Sequence, residues 1–335
     1  MTPFRWALAA VSFAAAILAS LYIVESSWPN AGAMLPLSWL THAALLGLAL
    51  AELGARGGKV WLSALALRIR MSYGTALRAS AGGDFGAAIT PARTGAEPAR
   101  FLIMTEAGMK AADIMLVIFA ELFLEMISLA IIALAMFFVF RASGKMIIGM
   151  VLLVAAYAAF VLGGGALGYA LAKKHATGAA PRWAKWVGLK GTRWLAVQRG
   201  LSQLSAGIDG IRDLRAGYAG GALVASLAHV ALRLAVLPVI VYSLGAEAPL
   251  APMILWPIAL TYGGVVAPVP AGGGAIEFAF KATLGTAIPA HAFGAALVWW
   301  RFYTFYIFVL LGALAAGGTV LRALRANARA ESLAE

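Results

Sequence analysis

The sequence predicts an all-α polytopic membrane protein, an inverted-topology repeat in which each half has three transmembrane helices and one re-entrant helical hairpin. Three observations point there. Of 335 residues, 62% are hydrophobic and only 12% charged, with a mean hydropathy of +0.88; a soluble domain normally carries about a quarter charged residues. The basic residues gather in a few stretches that separate long apolar runs. Finally, two related segments with helix-breaking residues, 90–97 and 269–277, interrupt the apolar pattern in corresponding places. Broken helices in matching positions of two halves point to a transporter's binding site.

A spanning helix needs about 20 apolar residues. Trp6–Val24 and Ala33–Ala51 contain no Asp, Glu, Lys or Arg, which predicts helices over about 5–24 and 33–54. The first run exceeds the roughly 7–15 residues of a signal-peptide core, so it reads as a retained helix. Ile114–Phe140 carries only Glu121 and Glu125, and Met146–Ala172 carries no charge, predicting helices over about 113–140 and 146–172. Tyr218–Leu244 carries only Arg233, and Ala282–Leu321 only Arg301, predicting helices over about 216–243 and 291–320.

Charge placement orients these helices. Residues 172–215 hold Lys173, Lys174, Arg182, Lys185, Lys190, Arg193, Arg199, Arg212 and Arg215 against Asp209 and Asp213. Residues 55–78 hold Arg56, Lys59, Arg68, Arg70 and Arg78, and the tail holds Arg322, Arg325 and Arg329. The positive-inside rule puts these stretches and both termini in the cytoplasm. Residues 75–110 must then enter and leave from the cytoplasm, and 250–289 from outside. A full span through Pro249–Glu277 would strand the basic tail outside. The whole chain, 1–335, is one membrane domain. Residues 1–145 form the first repeat with its hairpin at 75–110. Residues 146–320 form the second, with the cytoplasmic basic linker 172–215 and the hairpin 250–289, and 321–335 is a cytoplasmic tail.

Ionisable residues inside spans are costly and mark a functional site by default. The first hairpin offers Asp84, Arg93, Glu97 and Arg100; helix 113–140 offers Glu121 and Glu125; helix 216–243 offers His229 and Arg233. The second hairpin offers Glu277 and Lys281, and the last helix Arg301. Alternating signs allow pairing of Glu97 with Arg100, Glu277 with Lys281, and Arg301 with Glu121 or Glu125. After each break a new half-helix begins, near Ala96 and near Ala275, and its first N–H groups are unpaired at a positive dipole end. Gly95 in one turn, and Gly272, Gly273 and Gly274 in the other, let an oxygen-rich group approach the backbone. With Arg93, Arg100, Lys281 and Arg301 nearby, that is a substrate-binding site for an anion such as phosphate. Asp84, Glu121, Glu125, His229 and Arg233 are candidates for coupling or for helix pairing.

Other classes have no support. The chain has no cysteine, which excludes disulfides, thiolate metal sites and cysteine nucleophiles. No Walker A segment, clean metal spacing or GxSxG elbow occurs. No enzyme activity, metal or cofactor is therefore expected. The net charge of +12 resides in the loops and comes with no nucleic-acid motif. Residues 172–215 mix bases with Trp183, Trp186 and Trp194, a composition suited to the anionic inner leaflet.

At these residues the chain resembles the flippase-like membrane domain of the lysylphosphatidylglycerol synthases over nearly its whole length. The matching stretches are Ala81-Gly82-Gly83-Asp84-Phe85, Thr90-Pro91-Ala92-Arg93-Thr94-Gly95-Ala96-Glu97 with Arg100, and Glu121-Leu122-Phe123-Leu124-Glu125. The most specific is Pro268-Val269-Pro270-Ala271-Gly272-Gly273-Gly274-Ala275-Ile276-Glu277, followed by Arg301-Phe302-Tyr303-Thr304. Relatives usually carry an Arg after the first of the paired acids and an Asp as the second, where this chain has Leu122 and Glu125. The resemblance implies lipid translocation in the cytoplasmic (inner) membrane. The expected partners are membrane lipids, anionic ones above all, with homo-oligomers left open. No aminoacyl-transferase domain follows residue 335, so lipid aminoacylation is not implied. The alternatives are a DedA-like secondary transporter of a small anion and a non-transporting scaffold for a lipid-modifying enzyme.

Overall fold

The computed structural model describes residues 37–90, 93–140, 144–175, 214–263 and 275–332, with isolated positions at 18, 22, 194, 195, 198 and 202. The predicted helix 5–24, most of the basic linker and the glycines of the second break lie outside these residues. The described residues are helical, with no strand among them.

In chain order the helices are α1 (Trp39–Ala66), α2 (Tyr73–Ala88), α3 (Ala96–Glu106), α4 (Ala111–Phe140), α5 (Gly144–His175) and α6 (Ala216–Ser243). There follow α7 (Leu250–Gly263), α8 (Ala275–Leu284), α9 (Ala290–Arg301), a π-helical turn (Phe302–Tyr306) and α10 (Ile307–Ser332). Segments 111–139, 151–171, 216–243 and 290–319 are long and apolar enough to cross a membrane. The protein is an integral membrane protein.

Local chemistry sets several helix ends. The Ser38 and Ser72 hydroxyls accept from the Thr41 and Thr75 N–H groups, capping α1 and α2. Arg68, Gly108 and Gly245 take positive φ of 59°, 82° and 70° just past α1, α3 and α6. At each, the next residue's N–H returns to a carbonyl five residues back: Ile69 to Ala64, Met109 to Met104, Ala246 to Val241. These returns close the helices in Schellman fashion.

One boundary differs from expectation. The helix predicted to end near 54 continues to Ala66, so Arg56 and Lys59 lie inside α1 and not in a cytoplasmic loop. Lys59 is fully buried. The helix continues because carboxylates on neighbouring helices meet these charges, as described below.

α1 and α6 lie antiparallel. The Arg215 N–H donates to the Ala66 carbonyl, Gly221 faces Leu62, and Arg233 reaches Glu52. α2 and α3 also run antiparallel, with Gly86 against Gly95 and Gly82 against Ile103. α10 closes over α2: a Cβ on Gly312 would collide with the Ala81 carbonyl and lie 3.0 Å from Phe85 Cβ. Gly312→Val is expected to destabilise the fold by about 1–3 kcal/mol, because backbone cannot yield as a side chain can. Thermal melting in detergent checks this.

An apolar cluster gathers Leu45, Leu237, Met253, Phe280, Phe293 and Trp300. Phe280 stacks near Phe293 and Trp300 at centroid distances of 5.5 and 5.0 Å, within the favourable range for ring pairs. A second cluster gathers Val60, Ala76, Ile103, Met104, Ile114 and Val117.

Where α3 ends, Glu106 ties the hairpin to α10. Its carboxylate accepts from Thr319 Oγ1 at 2.7 Å and from Arg322 at 2.6 Å. The Thr319 hydrogen bond and then the Arg322 contact hold this carboxyl below its ordinary value of 4.5. A depressed carboxyl stabilises the fold above its unfolded value, and that contribution disappears as pH falls through the folded one. Glu106→Gln should therefore flatten the loss of melting temperature between about pH 5 and pH 3 relative to the parent. Parallel curves for the two proteins would show that the contact contributes nothing.

Candidate functional site

Among the described residues, twelve charged side chains and one histidine come together inside the bundle. α1 presents Glu52, Arg56 and Lys59, and their spacing puts them on one helix face. α2 contributes Asp84, the turn after it Arg93, and α3 contributes Glu97 and Arg100. Glu121 and Glu125 come from α4, His229 and Arg233 from α6, Glu277 from α8, and Arg301 from the end of α9.

The contacts form a connected chain. Arg56 donates to both Asp84 oxygens at 3.0 and 2.6 Å and lies 3.4 Å from Glu52, the bidentate geometry that suits guanidinium. Glu52, buried, also meets Arg233 at 3.0 Å. Lys59 Nζ sits 3.2 Å from Glu121 and 2.7 Å from Glu125. Arg100 lies against Glu97 at 3.2 Å and contacts Glu121 on its other side. His229 Nδ1 is 3.5 Å from Glu52, and its Nε2 is 3.6 Å from Glu125. Beside them the Ser128 hydroxyl donates to Ser226 at 2.8 Å. Arg56 and Arg233 both lie over the Phe308 ring, at 4.9 and 5.5 Å, where the ring face attracts a cation.

Arg301 Nε donates to Glu277 Oε1 at 2.8 Å, both side chains buried. Its guanidinium lies 4.7 Å from the Phe305 ring centre. The chain there winds into the π turn Phe302–Tyr306, so the predicted helix 291–320 carries a π-bulge within its span. Such bulges occur frequently at functional sites.

Arg93 differs from the rest. Its φ of 57° is left-handed, uncommon for a residue with a Cβ and mildly strained. It lies near Asp84, Arg56, Arg233 and Arg301. Among the described residues no carboxylate comes within ion-pair distance of it. The turn that holds it is clasped by Thr90, whose hydroxyl donates to the Gly86 carbonyl at 2.8 Å and accepts from the Gly95 N–H at 2.7 Å. A Cβ on Gly95 would lie 2.6 Å from the Gly86 oxygen, so this glycine permits close backbone packing.

The structure thus brings together Asp84, Arg93, Glu97, Arg100, Glu121, Glu125, His229 and Arg233, with Glu277 and Arg301 beside them. The pairing of Glu97 with Arg100 is as expected. Two pairings are corrected. Glu277 bonds Arg301, while Lys281 is exposed on α8. Glu121 and Glu125 are met by Lys59 and Arg100 instead of Arg301, because α1 and the hairpin pack directly on α4. Gly272, Gly273 and Gly274 lie outside the described residues. Glu52, Arg56 and Lys59 were missed. Their common helix face was visible in the spacing, but clustered bases beside a span read as a cytoplasmic loop.

A polytopic helical membrane protein with a buried, cross-helix network of charges is the class that this fold and site define. The family model for the lysylphosphatidylglycerol synthase TM region matches residues 5–312. The chain belongs to that family. No curated protein matches it.

Proposed function

We propose that the protein translocates an anionic lipid, a phospholipid or a polyprenyl phosphate, between the leaflets of the cytoplasmic membrane, without enzymatic chemistry of its own. The observation that carries this reading is Arg93, a cation held in a strained turn inside the bundle and not consumed by an ion pair among the described residues. A guanidinium so placed suits a phosphate oxygen. Arg100 and Arg301 would join it as the headgroup arrives, exchanging Glu97 and Glu277 for phosphate. Membership of a membrane-domain family from lipid-modifying synthases supports a lipid as cargo.

In this reading, hairpins 75–110 and 250–289 re-enter the membrane from opposite faces. The halves 1–145 and 146–320 are inverted repeats, and rocking one against the other alternates access. Both termini are cytoplasmic. Single cysteines at positions 28, 247 and 329 test the topology, since the chain has none of its own. Labelling of 329 only from outside would refute the repeat.

The functional test uses vesicles of phosphatidylcholine with a trace of NBD-labelled phosphatidylglycerol, whose flipping is read by dithionite quenching. Arg93→Ala is expected to slow flipping roughly 10- to 100-fold, the loss of one charge-assisted contact of about 1.5–3 kcal/mol. Lys281→Ala, at an exposed position, should change it little. Flux of inorganic phosphate without lipid flipping would move the assignment to a transporter of a soluble anion.

A further inference from the structure

Building on the lipid-translocation reading, we infer that a proton travels with each monoanionic phosphodiester headgroup, and that His229, between Glu52 and Glu125, carries it.

The interior charges balance without it. Among the described residues, six carboxylates (Glu52, Asp84, Glu97, Glu121, Glu125, Glu277) share the site with six cations (Arg56, Lys59, Arg93, Arg100, Arg233, Arg301). The stretches 91–92 and 264–274 contain no ionisable residue. A monoanionic phosphodiester entering this balanced, poorly solvated interior leaves one negative charge uncompensated, which is costly. One proton taken up with it restores neutrality. Imidazole is the side chain whose charge ordinarily changes between pH 5 and 8.

The geometry around His229 suits that role. Both ring nitrogens face carboxylates, Nδ1 toward Glu52 at 3.5 Å and Nε2 toward Glu125 at 3.6 Å. A neutral imidazole has one donor and one bare nitrogen, so one of these contacts sets a lone pair against a carboxylate oxygen; an imidazolium donates to both. Both distances exceed the roughly 2.7–2.9 Å of a charge-assisted hydrogen bond, leaving room for the ring to be gripped once it is charged.

The groups facing the ring come from several helices. α1 brings Glu52, Arg56 and Lys59, α4 brings Glu121 and Glu125, and Arg233 lies one turn along α6. Tyr157 of α5 lies near Glu125; α9 and the π turn, which also pack on α6, carry Arg301, held by Glu277, Tyr303, held by His42, and Tyr306. A path for coupling runs from Arg93 to Asp84, from Asp84 to Arg56, and from Arg56 to Glu52. An anion that draws Arg93 and Arg56 toward itself removes positive charge from beside the Glu52 carboxylate, and the adjacent imidazole takes up a proton in compensation. Glu125, at 16%, is the more exposed of the two carboxylates beside the ring. The cargo and proton together are neutral, so a membrane potential does not oppose their crossing.

The deciding experiment follows the ring itself. In a variant with His42, His175 and His291 replaced by Gln, His229 is the sole histidine and keeps its own surroundings. Labelled with 15N-histidine and placed in phosphatidylcholine nanodiscs near pH 7.5, it is expected to give a neutral imidazole. Including phosphatidylglycerol should convert it to imidazolium. A ring that stays neutral with phosphatidylglycerol, or is already charged in phosphatidylcholine alone, overturns the inference. In NBD-phosphatidylglycerol vesicles, flipping by the parent should fall up to about ten-fold per pH unit on the alkaline side, the limit for one proton, while His229→Gln is flat. A ring that charges in a protein that flips no lipid removes the translocation reading and leaves proton-linked binding standing. Flipping with an unresponsive ring does the reverse.

Discussion

Lys59→Met is expected to destabilise the protein by about 3–5 kcal/mol, the cost of leaving buried charge without its partner. The ammonium is fully buried and lies within 3.2 Å of Glu121 and 2.7 Å of Glu125. Those acids are one turn apart on one face of α4, and like charges at that spacing repel. Methionine fills a similar volume, so the loss reports charge and not a cavity. Adding Glu125→Gln to Lys59→Met removes one of the two carboxylate charges that Lys59 meets, Glu121 keeping its contact with Arg100, and should recover a substantial part of the loss. Melting curves in detergent, with the fraction of monodisperse protein, measure both. A single variant that melts with the parent would mean that the network is slack enough to neutralise itself.

Arg301→Ala is expected to cost about the same, 3–5 kcal/mol, for the same reason. Glu277 and Arg301 bury each other at 2.8 Å, and the guanidinium also covers Phe305. Removing it deprives the carboxylate of its cation and the ring of its cover. The double variant Glu277→Gln with Arg301→Ala separates charge from packing. Near-parental stability of the double variant assigns the single loss to charge, while an unchanged loss assigns it to the missing guanidinium stem. If Arg301 also holds the lipid phosphate, the stable double variant should still flip lipid poorly in the vesicle assay.

Much of the site was legible because charge in an apolar chain stands out. Asp84, Arg93, Glu97, Arg100, Glu121, Glu125, His229, Arg233, Glu277 and Arg301 all face the interior set, and each is conspicuous inside or beside an uncharged run. Arg56 and Lys59 escaped because the same logic, applied to loops, assigned them to the cytoplasm, and Glu52, near the end of the predicted helix 33–54, was not singled out. Their partners sit far along the chain: Lys59 and Glu125 are 66 residues apart, and Arg56 and Asp84 are 28. A charge looks soluble until the helix that neutralises it is known.

What the sequence determined by itself is what short-range physics decides. Runs of about 20 apolar residues must be helices, since lipid offers the backbone no hydrogen bonds. A Pro–Gly break after α2 must turn the chain back, and the closure of α1 at Arg68 and of α3 at Gly108 is likewise local. The tertiary structure alone decided which opposite charges meet. Glu277 had Lys281 one turn away and took Arg301, 24 residues on, because the fold brings the end of α9 within 2.8 Å of the buried Glu277 while Lys281 is exposed. Electrostatic pairing acts over a few ångströms and is indifferent to sequence separation, so the partners became visible only once the helices were set against one another.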